Sequence, residues 1–113
     1  MDERRRAERH LITIPVSLKH GSGITRDVSG LGVYFTSPYP FESGEKLDFV
    51  LQIPGSIHVR CIGHVVRSDF DREAMSYGAA VTIDDYDVVG DAIGEAPDAQ
   101  IVLRELEEHH PKS

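Results

Sequence analysis

Strict alternation of apolar and polar side chains, repeated in segment after segment, is what most limits the folds open to this chain. Ile12, Ile14, Val16 and Leu18 alternate with Thr13, Pro15, Ser17 and Lys19, the period-2 pattern of a strand with one buried face. Pro15 has no amide proton, so it puts this strand at a sheet edge or leaves a gap in its ladder. His20-Gly21-Ser22-Gly23 reads as a turn, and Ile24 to Val28 as the return strand of a hairpin. Val33 and Phe35 mark a third strand, ended by the Ser37-Pro38-Tyr39-Pro40 loop. Leu47, Phe49, Leu51 and Ile53 form a fourth, before a Pro54-Gly55 turn. Ile57, Val59, Cys61 and Val65 share one face of a long fifth strand, and Met75, Tyr77, Ala79, Val81 and Ile83 one face of a sixth. Six short strands with no helix between them predict a closed or nearly closed antiparallel barrel, because a flat sheet of that size would leave two adhesive edges.

After Ile83 the period changes. Asp98 is placed to cap a helix whose apolar positions Val102, Leu103 and Leu106 fall on one face. Residues 84–97, with Gly90, Gly94 and Pro97, read as a connector with at most a short helical turn. The expected organisation is therefore a single domain over residues 1–113: an arginine-rich arm at 1–10, a six-stranded barrel at 11–83, and an acidic connector and helix at 84–113. A chain of 113 residues has room for one such core and not for two ordinary ones. No apolar run nears the roughly 20 residues needed to cross a bilayer, and the start, Met-Asp-Glu-Arg-Arg-Arg, lacks the apolar core of a secretion signal. A lone Cys61 can neither close an intramolecular disulfide nor anchor a cysteine-rich zinc site. The expectation is a small cytoplasmic domain without membrane insertion, and monomer and homodimer stay equally open.

The net charge of −7 has an address. Residues 1–83 carry ten basic and ten acidic side chains, whereas residues 84–113 carry nine acids against Arg104 and Lys112. Meanwhile Arg4, Arg5, Arg6 and Arg9 crowd into the first ten residues. A basic head and an acidic tail point to different tasks for the two ends. A nucleic-acid polymer is an unsuitable partner, since the body offers no basic face to track phosphates.

Two clusters carry chemistry. In Arg5-Arg6-Ala7-Glu8-Arg9, two arginines stand four apart. In Asp27-Val28-Ser29-Gly30-Leu31-Gly32, an Asp-x-Ser-x-x-Gly pattern joins the second strand to the third. Four arginines in six positions produce the first spacing easily, and the second arises by chance in roughly a few per cent of chains this long. Alone, each has a plain explanation: a solvated terminus, and a turn whose Asp and Ser bond nearby amides. Their order and their place on a barrel join them. With a hairpin turn near Gly21-Ser22, Ser29 falls opposite about Ile14 and Gly32 opposite about Leu11, so both clusters meet at one barrel end. Gly30 and Gly32 permit a tight turn and leave room for a planar ligand. Asp27 can accept from a guanine N1–H and amino group, while guanidiniums fork onto guanine O6 and N7 or onto phosphate and stack on purines. The set suits a guanine-bearing phosphodiester.

These residues resemble the PilZ domain, the bacterial receptor module for the second messenger cyclic di-GMP. Arg5 and Arg9 match the family's Arg-x-x-x-Arg before the first strand; Asp27, Ser29 and Gly32 match its Asp/Asn-x-Ser-x-x-Gly after the second. Tyr77-Gly78-Ala79-Ala80-Val81 is similar to the family's late strand, whose glycine lines the ligand edge, which maps onto Gly78. The resemblance covers residues 4 to about 83. It implies a split barrel, no enzyme activity, no cofactor beyond the ligand itself, and a protein partner not named by the sequence. Arg4, just before the first motif arginine, stands where an arginine accompanies an intercalated pair of nucleotides, which implies two ligands per domain. His10, directly after Arg9, departs from the hydrophobic residue more usual there and bears on the arm's path or pH response.

The arm up to about Arg9 is too polar to pack alone, so it is expected to be mobile until ligand folds it over the barrel and creates a surface for a partner. The acidic helix either docks a basic partner or plugs one barrel end. The main alternative is a PilZ-like protein-interaction module that does not bind the nucleotide, against which Arg5, Arg9, Asp27 and Ser29 all stand. An RNA-binding barrel would need exposed aromatics and basic residues on one sheet face. Cys61 alternates with Val59 and Val65 as a buried thiol does. His58 and His64 share the opposite face, six apart, a long separation for metal ligands on one strand that surface polarity explains better. A calcium loop begun at Asp85 puts Val89 at position 5 and Ala96 at position 12, which rejects an EF-hand. Gly21 and Gly23 are followed by Arg26 where a nucleotide-binding Gly-x-Gly-x-x-Gly needs glycine. No constellation indicates catalysis.

Overall fold

Alternation becomes a barrel through pairing. The computed structural model describes residues 9–19, 21–53, 57–89 and 97–110. In chain order its elements are β1 (Pro15–Leu18), β2 (Gly21–Val28), β3 (Gly32–Ser37), β4 (Lys46–Gln52), β5 (His58–Asp71), β6 (Ser76–Thr82), β7 (Asp85–Val89) and α1 (Pro97–His109). The antiparallel order β4-β1-β2-β3-β6-β5 closes on itself through β4–β5 pairing, and β7 adds to β5 outside the ring. The fold is thus mainly β, a closed six-stranded antiparallel barrel with one extra strand and a C-terminal helix. Arg4, Arg5 and the rest of the expected arm before Arg9, like the Pro54-Gly55 turn, lie outside the described residues.

The inward positions are those the alternation marks. Ile14, Val16, Phe35, Phe49, Leu51, Ile53, Ile57 and Val59 are fully buried, and Phe35 lies edge-on to Phe41 at 5.7 Å between centroids. Each such side chain contributes about 1.5–3 kcal/mol by leaving water. Ala99, Val102 and Leu106 of α1 enter the same core, so the helix is part of the barrel's interior packing.

Five expectations are corrected. The β1–β2 hairpin pairs Leu18 with Gly21, so Gly21, Ser22 and Gly23 belong to the return strand rather than to a turn at 20–23. Ser29 therefore does not lie opposite Ile14; His10 pairs with Val28 instead, through His10 N–H to Val28 O at 2.8 Å and the reverse bond at 2.9 Å. The first strand is also shorter than Ile12–Leu18. Pro15 pairs with β2 only, and β1 meets β4 from Val16 onward. Ahead of Pro15 the ladder runs through a side chain: Ile14 N–H donates to Thr25 Oγ1 (2.7 Å), whose hydroxyl donates to Ile12 O (2.6 Å).

Third, residues 85–89 are not connector but β7, pairing Ile62 with Asp85 through His58 with Val89. The long β5 pairs with β6 only from Val65 to Asp71, and β7 continues along the same edge to cover its first half. Only Tyr86 of β7 turns inward, so the segment shows no alternation. Fourth, Met75 does not face the core; it sits at φ 51° in the β5–β6 turn with 74% exposure. Asp71 Oδ1 accepts from the Glu73 and Ala74 amides at 3.0 and 3.2 Å and so starts that turn. Fifth, α1 begins at Pro97 and holds Asp98 in its first turn rather than as its cap. Proline suits a first helical position and an acid complements the helix's positive end.

Candidate ligand-binding site

Two bulges build the site. In β2 the register shifts between Thr25 and Asp27, so Arg26 and Asp27 are both turned from the core before Val28 goes in. In β5 it shifts between Val65 and Arg67, which turns Val66 and Arg67 outward together. Bulges re-aim side chains in this way. Across the sheet, Asp27 pairs with Tyr34, Tyr34 with Ala80 and Ala80 with Arg67, so one row runs from carboxylate to phenol to guanidinium.

Arg9 reaches this row from the His10–Val28 bridge. Its Nη2 lies 3.2 Å from Asp27 Oδ2, with the arginine side chain 71% exposed and the aspartate 15%. Over the row runs a groove of about 270 Å³ lined by Arg9, Asp27, Ser29, Gly32, Tyr34 and Arg67 among others. Ser29 shapes its rim: the Ser29 amide donates to Gly32 O at 2.9 Å, and its Oγ accepts from the Leu31 and Gly32 amides at 3.2 and 3.3 Å. The turn reading thus describes what this hydroxyl does in the structure.

The glycines divide. Gly32 lines the groove, but the space a Cβ would need there is taken by Val81 O, 2.3 Å away. Gly30 faces the opposite way: a Cβ there would stand 2.2 Å from His109 Nδ1 and 2.5 Å from Glu105 O. The room expected there for a planar ligand is occupied by α1. Gly78 is set off from the groove, with a Cβ meeting Tyr34 Oη at 1.8 Å and Asp69 Oδ1 at 2.8 Å. Its bareness lets Tyr34 lie down and donate to Asp69 Oδ1 at 2.8 Å. Burial pushes the Tyr34 phenol above its ordinary value, and the bond to the Asp69 carboxylate adds to the rise.

Tyr34, Arg26 and Arg67 belong to neither motif of the sequence. The guanidinium carbons of Arg26 and Arg67 each stand 5.8 Å from the Tyr34 ring centroid, while Arg26 pairs with Asp71 and Arg67 with Asp69 at 3.6 Å. Tyr34 did carry a signal, since it alternates with buried Val33 and Phe35 beside the motif turn. Arg26 and Arg67 become visible only once both bulges are known. A larger hollow of about 540 Å³ lies over β1, β4, β5 and β7. Its charged lining, Asp48, Asp85 and Asp87 against Lys19 and Arg60, disfavours a phosphodiester. Elsewhere, Cys61 is 2% exposed and burial pushes its thiol up to about 12, while His64 Nδ1 pairs with Asp84 Oδ2 at 2.9 Å and holds that carboxyl below its usual range.

The described residues thus form a small closed barrel with an arginine–carboxylate groove on its outer face, next to a serine-braced turn. The PilZ domain model matches residues 3–92, and the chain belongs to the PilZ domain family. That family is of the cyclic di-GMP-binding type, and its members are receptor or adaptor domains. Among solved structures the chain is similar to the Bacillus subtilis inhibitor of motility (MotI/DgrA), with a TM-score of 0.67 and 16% identity over 95% of this chain and 51% of that one. It therefore spans about half of that protein's length, and the likeness is one of fold. No curated protein matches the chain. Among the described residues, no helix is long and apolar enough to cross a membrane.

Proposed function

We propose that this chain is a cyclic di-GMP receptor that orders its N-terminal arm on binding and relays the signal to a protein partner in the cytoplasm. The observation that carries the reading is the Arg9–Asp27 contact at 3.2 Å along the groove, which puts one residue of each motif within reach of the same ligand. An exposed pair of this kind is worth at most about 1 kcal/mol, so ligand can part it at little cost. Arg9 then forks onto a guanine edge or a phosphate, and Asp27 accepts from the guanine N1–H and amino group. Arg5, from the arm, supplies the second guanidinium, and Arg4 disposes the site to two ligands. Ser29 and Gly32 keep the rim turn in shape, and Tyr34 with Arg67 offers an aromatic and cationic floor beyond it.

Equilibrium binding of labelled cyclic di-GMP tests this, with GTP as competitor. Asp27→Ala removes hydrogen bonds to a charged acceptor worth about 1.5–3 kcal/mol, so affinity should fall roughly 10- to 100-fold, and binding should weaken as salt rises. Absence of binding at moderate salt, or equal displacement by GTP, would overturn the proposal; the first result would favour a PilZ module used only for protein contact.

A further inference from the structure

Helix α1 and the residue after it touch Gly30 of the second motif and His10, which directly follows Arg9 of the first, from the side opposite the groove. His10 Nε2 lies 3.1 Å from Glu105 Oε2, and His110 Nε2 hydrogen-bonds Gly30 O at 2.6 Å. Gly30 itself is pressed against His109 and the Glu105 carbonyl. The strand bridge at His10–Val28 fixes the geometry: successive side chains alternate, so Arg9 turns out to the groove while His10 turns in to α1. Ordering either residue orders the other through one shared backbone.

Glu105 is an unusual neighbour for a barrel core. Its side chain is 8% exposed, it lies beside the fully buried Leu106, and its Oε1 has no hydrogen-bond partner among the described residues. A carboxylate that deep depends on the positive charge facing it. The groups that face it are His10 from the arm root and His109 from α1 itself, whose Nδ1 is 3.9 Å from Oε1. Among the described residues, the charged groups nearest this contact are Glu105 itself, His109 of α1 on the far side of that carboxylate, and the Arg9–Asp27 pair on the β2 side. The His110–Gly30 bond persists in either charge state, because imidazole always keeps an N–H donor. The His10–Glu105 contact becomes an ion pair only when His10 is protonated.

We propose that His10 and Glu105 form a latch that couples docking of α1 to occupancy of the groove and tightens when His10 is protonated. This deepens the cyclic di-GMP reading and rests on it. His10 is a positioning residue: it holds the arm root where Arg9 meets Asp27, and α1 holds His10. The coupling is reciprocal by thermodynamic necessity, so ligand should protect α1 and a well-docked α1 should favour ligand. Neither a guanine nor a phosphodiester changes charge between pH 6 and pH 8, so a pH effect on affinity in that window reports on the protein.

The test is cyclic di-GMP titration of the full chain at pH 6 and pH 8, with amide hydrogen exchange over residues 97–109 corrected for intrinsic rates. Wild type should bind several-fold more tightly at pH 6, and ligand should slow exchange in α1. His10→Gln and Glu105→Gln should each bind within a few-fold of wild type at pH 8, lose the pH effect, and not compound in the double variant. His10→Gln keeps the test alive if Glu105→Gln unfolds. A pH effect that survives in both variants, or ligand that leaves α1 exchange unchanged or faster, would overturn the latch. Failure of wild type to bind at either pH would instead overturn the receptor reading. The latch would then stand or fall on the ligand-free chain, where α1 should exchange more slowly at pH 6 in wild type and equally at both pH values in His10→Gln.

Discussion

Replacing Thr25 by valine should cost this domain more stability than its shape suggests. Thr25 is buried, and its hydroxyl accepts from Ile14 N–H at 2.7 Å while donating to Ile12 O at 2.6 Å. It substitutes for the ladder bonds that Pro15 and the β2 bulge interrupt. Valine fills the same volume but strands one buried donor and one buried acceptor, at about 1–3 kcal/mol each. The methyl that replaces the hydroxyl recovers up to about 1 kcal/mol, which leaves a net loss of about 1–5 kcal/mol. Against a total of about 5–15 kcal/mol for a domain this size, that is a large fraction. It should lower Tm by roughly 5 °C or more. Thr25→Ser keeps both bonds and loses only a methyl, about 1 kcal/mol. Urea unfolding followed by circular dichroism gives both values. A hydrophobic argument ranks valine above serine; the hydrogen-bond argument ranks it below. Valine at least as stable as serine would refute the account of this segment. Since residues 11–14 lead directly from His10 and Arg9, the valine variant should also bind ligand more weakly.

Four other outcomes are expected. Cys61, with its thiol raised to about 12 by burial, should resist alkylation at pH 8 in the folded chain and react only on unfolding, read by mass spectrometry. Tyr34 should ionise at higher pH than an ordinary tyrosine in an ultraviolet absorbance titration; because its folded value is raised by burial and then by Asp69, the stability it contributes is whole below the ordinary tyrosine value and is lost as pH climbs through the raised one. Gly78→Ala, which drives a Cβ into Tyr34 Oη, should return that phenol toward its ordinary value. Leu106→Ala empties a fully buried site on α1 and should cost about 2–5 kcal/mol by denaturant unfolding; a cost near zero would mean that the helix is not part of the core.

Much of the barrel is legible because alternation and burial are the same fact at two levels. Ile14, Val16, Phe35, Phe49, Leu51 and Val59 announce their faces in the sequence and fill the core in the structure. β7 is illegible for a physical reason: Asp85, Asp87, Val88 and Val89 are all exposed and only Tyr86 is buried, so its pairing comes from the uncovered first half of β5 rather than from its own pattern. The β1–β2 register is hard to read because glycines 21 and 23 look like turn residues, yet they extend along the strand. Of the site, Arg9, Asp27, Ser29 and Gly32 can be found from spacing, since they surround one local turn. Arg26 and Arg67 cannot, because two bulges and three strand registers bring them to Tyr34, whose alternation with Val33 and Phe35 is the one legible trace of this row. The contact of Gly30 with α1 spans most of the chain, and nothing local to the motif foretells it.

Calorimetric titration with cyclic di-GMP of the wild-type chain beside an Arg5→Ala/Arg9→Ala double variant tests the central claim most directly. The account predicts binding by wild type, with a molar ratio of two ligands per chain if Arg4 acts as the resemblance implies, and its loss in the variant while the fold, judged by circular dichroism, is unchanged. Heat of binding that is the same in both proteins, or absent from wild type at moderate salt, would contradict it.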